Sequence, residues 1–354
     1  MTSADNRKAS SEQRNQQTKM FEESRQAPEV VARQRDANRA VIARIASRLK
    51  ANRPRAVVTA ARGSSDHVAT FAKYLIETKT GTLTSSAGLS VSSVYSKRPQ
   101  LADVLFVAIS QSGKSPDLLA NVDAARAAGA FIVAVVNDAQ SPLAKAAHEV
   151  VPLHAGAEQS VAATKTYLAS AAAIVDIVSA WTDDGPLKAA LGELPAAMAM
   201  AFGLDWSEAV TRLKPARDLY VVGRGLGFGA AQEAALKFKE TCGLHAEAFS
   251  AAELAHGPMA LVKDGFPVLM LSQNDETRSG MEELAARIVA AGAELVVAGF
   301  AARNAVLLPT LAAHPALEPI LMAQSFYRMI NALALARGFD PDRPPNLNKI
   351  TETV

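Results

Sequence analysis

Two hydrophobic rhythms alternate along this chain. Nearly continuous apolar runs recur at Ala56–Ala60, Val104–Ile109, Phe131–Val136, Asp218–Val222, Pro267–Leu271 and Leu295–Ala298. Runs without polar alternation predict strands covered on both faces, as in a parallel sheet. Between them apolar residues return every three or four positions, which predicts helices. That spacing begins near Met20 and runs, broken at Pro28, to Leu49. It returns over Asp66–Thr78, Pro116–Ala128, Pro142–Ala147, Thr164–Trp181, Gly229–Thr241 and Met281–Ala291. Leu89, Val91 and Val94 mark one weak further strand. Strands alternating with helices predict an α/β fold built on parallel sheets.

The pattern occurs twice. Arg62-Gly63 and Arg224-Gly225 each follow a strand, and so do Ser110-Gln111 and Ser272-Gln273; both pairs lie 162 residues apart. Gly129 and Gly292 precede corresponding strands with one residue inserted. Agreement in position, context and spacing predicts a duplicated domain. The expected boundaries are residues 20–182 for the first domain, 183–205 for a linker and connecting helix, and 206–340 for the second domain, followed by a tail at 341–354. Residues 1–19 are polar and rich in Gln, Ser, Asn and charge, so they read as disordered and carry no secretory signal.

Composition narrows the function classes. The chain has 354 residues and a net charge of +2, enough length for about two domains and no electrostatic reason to bind nucleic acid or a membrane surface. Ala169–Ala180 falls short of the ~20 apolar residues of a membrane span. The single cysteine, Cys242, excludes an internal disulfide framework and fits a reducing cytoplasm. Set among apolar residues on a predicted helix, it reads as a buried structural thiol. No set of His, Cys and carboxylates has metal-ligand spacing.

The candidate chemistry starts at Ile109-Ser110-Gln111-Ser112-Gly113-Lys114-Ser115, between a strand and a helix. A helix N-terminus offers unpaired N–H groups and partial positive charge, and Pro116 suits the first helical position. Ser110, Gln111, Ser112 and Ser115 add side-chain donors, and Gly113 permits close approach of an anion. Taken alone, the segment is either a phosphate cradle or a plain serine-rich turn. The second half supplies an internal control: Ser272-Gln273 is followed by Asn274-Asp275-Glu276, whose carboxylates repel a phosphate. One phosphate site per chain is therefore expected, in the first half. In the second half, Glu233, Lys237 and Glu240 share a helical face at i, i+4, i+7, either as a solvated stripe or, beside Ala234, Leu236 and Phe238, partly buried. His256 precedes Gly257-Pro258 and so lies on a turn.

Together these motifs resemble the sugar isomerase (SIS) family, and more closely the isomerase half of glucosamine-6-phosphate synthase. The matching segments are Arg62-Gly-Ser-Ser65, Ile109-Ser-Gln-Ser-Gly113, Val161-Ala-Ala-Thr-Lys165, Glu233-x-x-Leu-Lys-x-Lys-Glu240, His245-Ala-Glu-Ala248, Glu253-Leu-x-His-Gly-Pro258 and Pro345-Asn-Leu-Asn-Lys349. They keep the family's order and cover about residues 20 to 354. The resemblance implies two tandem SIS domains, each a flavodoxin-like parallel sheet sandwiched by helices, with the C-terminal tail contributing to the active site. It also implies a homodimer that shares its active site between subunits. Some positions depart from the family: Ser115 stands for a threonine, Lys114 for a glutamate, Ala163 for a serine and Arg62 for a cysteine. The synthase's N-terminal glutaminase has a cysteine nucleophile; here Thr2 follows Met1 and Cys242 is the lone cysteine, so glutamine hydrolysis is not expected.

The design resembles the isomerase-type glucosamine-6-phosphate deaminases. The implied phosphate-binding residues are Ser65, Ser110, Gln111, Ser112 and Ser115, with Ser64, Val161, Ala163 and Asn348 at the rest of the sugar. His256, supplied by the other subunit, opens the ring. Glu240 moves a proton between C1 and C2, a role that asks for a carboxylate pKa raised toward neutrality. Lys237 and Lys349 lie near C1–C2, one stabilising enolate charge, and Lys349 able to form a Schiff base in the reverse direction. The partner is a small sugar phosphate, and no metal or organic cofactor is required. A deglycase of another fructosamine phosphate, a plain phosphosugar isomerase and a non-catalytic sugar-phosphate sensor remain alternatives.

Overall fold

The computed structural model describes residues 18–349. The expectation of disorder for residues 1–17 lies outside them, whereas Thr18 and Lys19 are ordered. Thr18 caps the Lys19–Arg25 helix, its hydroxyl accepting the Phe21 N–H at 3.2 Å. A second helix, Ala27–Ala51, follows at once, with Pro28 in its first turn, where a proline costs no hydrogen bond.

Two five-stranded parallel sheets organise the chain. The first comprises β1 (Ala56–Ala60), β2 (Thr84–Ser86), β3 (Val104–Ser110), β4 (Phe131–Val136) and β5 (Glu149–Pro152), in the order β2-β1-β3-β4-β5. The second comprises β6 (Asp218–Gly223), β7 (His245–Ser250), β8 (Pro267–Leu271), β9 (Glu294–Ala298) and β10 (Val306–Leu308), in the order β10-β9-β8-β6-β7. Counted within each half, both orders are 2-1-3-4-5, the flavodoxin-like arrangement that the duplication predicts. Every residue of β3 is buried, as a central strand covered on both faces requires.

The predicted strands and helices form within a few residues of their expected ends, with one exception. The weak strand at Leu89, Val91 and Val94 is a short helix, Leu89–Ser93. Only Leu89 turns inward; Val91 and Val94 are 44% and 58% exposed, so their apolar spacing did not report a buried face. The strand there is instead Thr84–Ser86, which pairs Thr84 with Val57 of β1. Three more strands, β5, β7 and β10, are absent from the predicted set: β5 and β7 carry no long apolar run, β10 is only three residues long, and each pairs with a single neighbour at a sheet edge.

The chain forms two compact units. One contains Pro28–Gly156 and Thr166–Pro195, hence the first sheet; its core includes Phe106, Leu118, Ile132 and Leu143. The other contains residues 18–27, Ala157–Lys165 and Ala196–Lys349; its core includes Tyr220, Met270, Met281 and Val297 around the second sheet. The Lys19–Arg25 helix and the 157–165 loop thus belong to the compact unit of the second sheet. No single helix among the described residues is long and apolar enough to cross a membrane.

The carboxyl ends of β8 and β9 approach closely at Gly299. Its φ is +110°, and a Cβ there would lie 1.9 Å from the carbonyl oxygen of Ser272. Gly299→Ala is expected to destabilise the chain by about 3 kcal/mol, combining backbone strain with overpacking. A lowered urea midpoint at unchanged slope will check it.

Candidate active site

In an open α/β sheet, ligands sit at the carboxyl ends of the strands where the strand order reverses. In the first sheet that point lies between β1 and β3. The segment after β1 supplies Arg62, Gly63 and the first turn of the Ser64–Thr80 helix, with Ser64 and Ser65 half-buried. The segment after β3 is the 110–115 loop, which leads into the Pro116–Ala127 helix. Its hydroxyls shape it: Ser110 Oγ accepts the Gly113 N–H at 3.0 Å and Ser112 Oγ accepts the Lys114 N–H at 3.3 Å. Each hydroxyl spends acceptor capacity inside the loop and keeps its own proton to donate. Ser115 is the N-cap residue and makes no side-chain cap bond. Gly113 has φ +64°, and a Cβ there would meet Ser141 Oγ at 2.3 Å and Val136 Cγ2 at 2.9 Å. It is glycine because Ser141 occupies that space, a packing reason beside the anion approach expected from the sequence.

The sequence reading missed Asp117. Its side chain has no exposure, and it sits in the helix's first turn. Arg62 Nε and Nη2 donate to its Oδ2 at 2.8 and 2.7 Å, while Oδ1 accepts the Leu118 N–H at 2.7 Å. An acid at a helix start suits the dipole but opposes a bound anion. Arg62 offsets that charge and ties the segments after β1 and β3 together. The available signal was an acid directly after Pro116.

The second sheet has the same reversal between β6 and β8, but there the crevice is filled. Gln273, the counterpart of Gln111, is fully buried. Its Nε2 donates to Arg224 O at 3.0 Å, Asp275 Oδ2 at 2.7 Å and Thr277 Oγ1 at 3.1 Å. A Cβ on Gly227 would lie 2.4 Å from Gln273 Oε1. Gln111, by contrast, is half-buried.

The Phe228–Cys242 helix carries the charged face. Lys237 has no exposure, and its Nζ lies 2.9 Å from Glu233 Oε1 and 2.8 Å from Glu240 Oε2. Burial alone lowers a lysine pKa, but the two carboxylates outweigh it and hold Lys237 above its ordinary value, so it stays charged. Glu233 is also buried and accepts the Tyr327 hydroxyl at 2.9 Å from the Glu318–Ala336 helix. Glu240 is the open member of the set, its side chain 18% exposed. The partly buried alternative is therefore the right one, and Tyr327 is a member that helical spacing alone cannot find. On the same helix Cys242 is buried, and burial pushes its thiol up to about 12, which leaves it no nucleophilic role at neutral pH.

The remaining expected residues lie on other segments. Val161 and Ala163 are half-buried on the 157–165 loop. Lys349 reaches the same loop, its Nζ donating to Ser160 O at 2.6 Å and lying 3.5 Å from Glu158 Oε2. Asn348 is exposed, and so is His256, on the turn after the short Ala251–Leu254 helix.

Comparison with known proteins gives a consistent result. The SIS domain matches residues 51–180 and 212–298. The chain is 34% identical over 311 residues to the glutamine–fructose-6-phosphate aminotransferase (isomerizing) of Aeropyrum pernix, covering 82% of this chain and 50% of that protein. It is also 34% identical to the aminotransferase of Symbiobacterium thermophilum, covering 83% of this chain and 51% of that one. The chain thus spans about half the length of the curated relatives it matches. A solved structure from Silicibacter pomeroyi, assigned to the phosphosugar isomerases, is 43% identical with a TM-score of 0.87, covering 92% of this chain and all of that one. The C-terminal domain of the Francisella tularensis glucosamine-fructose-6-phosphate aminotransferase, 24% identical with a TM-score of 0.81 over 93% of this chain and 98% of that one, shares the fold.

Removing one member of a buried ion cluster strands the others. Lys237→Met is expected to destabilise the chain by about 3–5 kcal/mol, measured by chemical denaturation. Gly113→Ala is expected to cost about 2 kcal/mol, seen as a lower denaturation midpoint.

Proposed function

The chain belongs to the SIS domain family, and on that premise we propose that it is an enzyme that moves a proton between C1 and C2 of a sugar phosphate. The finer reading is deamination of an amino sugar phosphate, most simply glucosamine 6-phosphate to fructose 6-phosphate and ammonia. Glu240 is the observation that carries it: a partly open carboxylate fixed on a fully buried, charged lysine. A sensor of sugar phosphates has no use for so costly an arrangement.

In this reading Ser65, Ser110, Gln111, Ser112 and Ser115 hold the phosphate with neutral donors at a helix start. His256 protonates the ring oxygen and opens the ring, in a homodimer from the other subunit. Glu240 takes the proton from C2 of the open-chain amino aldose while O1 gains one from solvent, leaving an enolamine. It returns its proton to C1 as the nitrogen gives one up to solvent, giving a 2-imino sugar. Water adds at C2, ammonia leaves, and the ketose phosphate remains. Lys237, enclosed by two carboxylates, acts by holding Glu240. Lys349 serves the C1–C2 end, and in the reverse direction it is the amine that condenses with a ketose. Ser64, Val161, Ala163 and Asn348 contact the rest of the sugar.

Purified protein is expected to release ammonia from glucosamine 6-phosphate. A panel adding galactosamine 6-phosphate, fructoselysine 6-phosphate and glucose 6-phosphate separates deaminase, deglycase and plain isomerase; no ammonia from any amino sugar defeats the deaminase reading. Glu240→Gln is expected to lower kcat at least ~10²-fold while phosphosugar binding stays intact. Ser110→Ala is expected mainly to raise KM; an unchanged KM would remove the phosphate-loop assignment.

A further inference from the structure

The 157–165 loop bears Val161 and Ala163 and receives Lys349, yet its own hydroxyls do not hold it. Ser160 Oγ and Thr164 Oγ1 are buried without a hydrogen-bond partner among the described residues. Buried backbone N–H groups need acceptors, and carboxylates take that role here. Glu158, inside the loop, accepts the Thr164 N–H at 3.0 Å. Glu23, from the Lys19–Arg25 helix far back in the chain, spans two successive amides. Its Oε1 accepts the Gln159 N–H, and its Oε2 accepts the Ser160 N–H at 3.1 Å. Glu23 is only 6% exposed. Its helix is anchored independently, by Asp342 accepting the Lys19 and Met20 N–H groups at 2.7 and 2.8 Å and by Gln324 Nε2 donating to Ser24 O at 2.8 Å. Burial raises the Glu23 pKa, the nearby Glu158 charge adds to the rise, and the two amides oppose it.

We propose that Glu23 is a positioning residue: by holding the Gln159 and Ser160 amides it sets the shape of the loop that carries Val161 and Ala163, and it aims the Ser160 carbonyl that holds Lys349. This rests on the proposed function for what the loop meets, a sugar phosphate, but not for what holds the loop. A carboxylate suits the task because both oxygens accept, and two adjacent amides need two acceptors. A carboxamide offers one acceptor oxygen and turns an NH2 toward the other amide. Neither the sugar motifs nor helical spacing marks Glu23, since its partners lie more than a hundred residues away.

The test is Glu23→Gln in the full chain, read by amide hydrogen exchange and by kinetics. Exchange at Gln159 and Ser160 is expected to rise about tenfold or more, with residues 345–349 following, while the Phe228–Cys242 helix keeps its wild-type protection. That unchanged helix separates a local effect from general unfolding. On whichever phosphosugar the wild type turns over, kcat/KM is expected to fall roughly 10- to 100-fold, the usual consequence of a misplaced substrate contact. The affinity for inorganic phosphate, a matter for the 110–115 loop, is expected to stay the same. Wild-type exchange at Gln159 and Ser160 in the variant overturns the proposal, and so does an unchanged kcat/KM. If the wild type turns over no phosphosugar, the proposed function falls and the exchange result alone decides the role of Glu23.

Discussion

The unit around the second sheet turns on one buried charge. Lys237 has no exposure, and taking an ammonium out of water costs several kcal/mol even after relaxation. Glu233 and Glu240 offset that cost, and Glu233 is itself steadied by the Tyr327 hydroxyl. These contacts fix the rotation of the Phe228–Cys242 helix about its axis, because any turn would strand a charge. They also fix Glu240, the member that keeps partial access to solvent. A carboxylate placed in this way has little freedom to move, which suits the role of base proposed for it.

The duplicated halves show how one topology supports two outcomes. Both sheets reverse their strand order at the same place and leave the same crevice. In the second half Gln273 turns into it and bonds across it; in the first half the loop closes on itself through Ser110 and Ser112. The difference comes from a few side chains, since the strands and their order are shared. This is the physical sense in which fold and site are separate properties.

Carboxylates also organise the loops. Asp117, neutralised by Arg62, accepts the Leu118 N–H in the first turn of the helix beyond the 110–115 loop. Glu318 accepts the Asn274 N–H at 2.6 Å and the Ala313 N–H at 3.2 Å. Glu23 and Glu158 hold the 157–165 loop. Irregular backbone buried in a fold must find acceptors for its amides, and a charged acceptor makes the stronger bond. Arg62, a departure from the family pattern, thereby has a structural partner in this chain.

The central strands, the long helices, the duplication and the 110–115 loop were all legible in the amino-acid sequence, because each depends on neighbouring residues or on a fixed periodicity. So was the shared face of Glu233, Lys237 and Glu240, which follows from 3.6 residues per turn. Edge strands such as β7 were not, since polar residues at an edge leave no apolar run. The helix at Leu89 reads as a strand when burial is judged from spacing alone. Only the tertiary structure decided that the charged face is buried and that Tyr327 completes it. Only it could bring Asp117 to Arg62, and Glu23 to a loop far along the chain. Periodicity records which way a side chain points along its own element, but carries nothing about which charge from a distant segment will be waiting there.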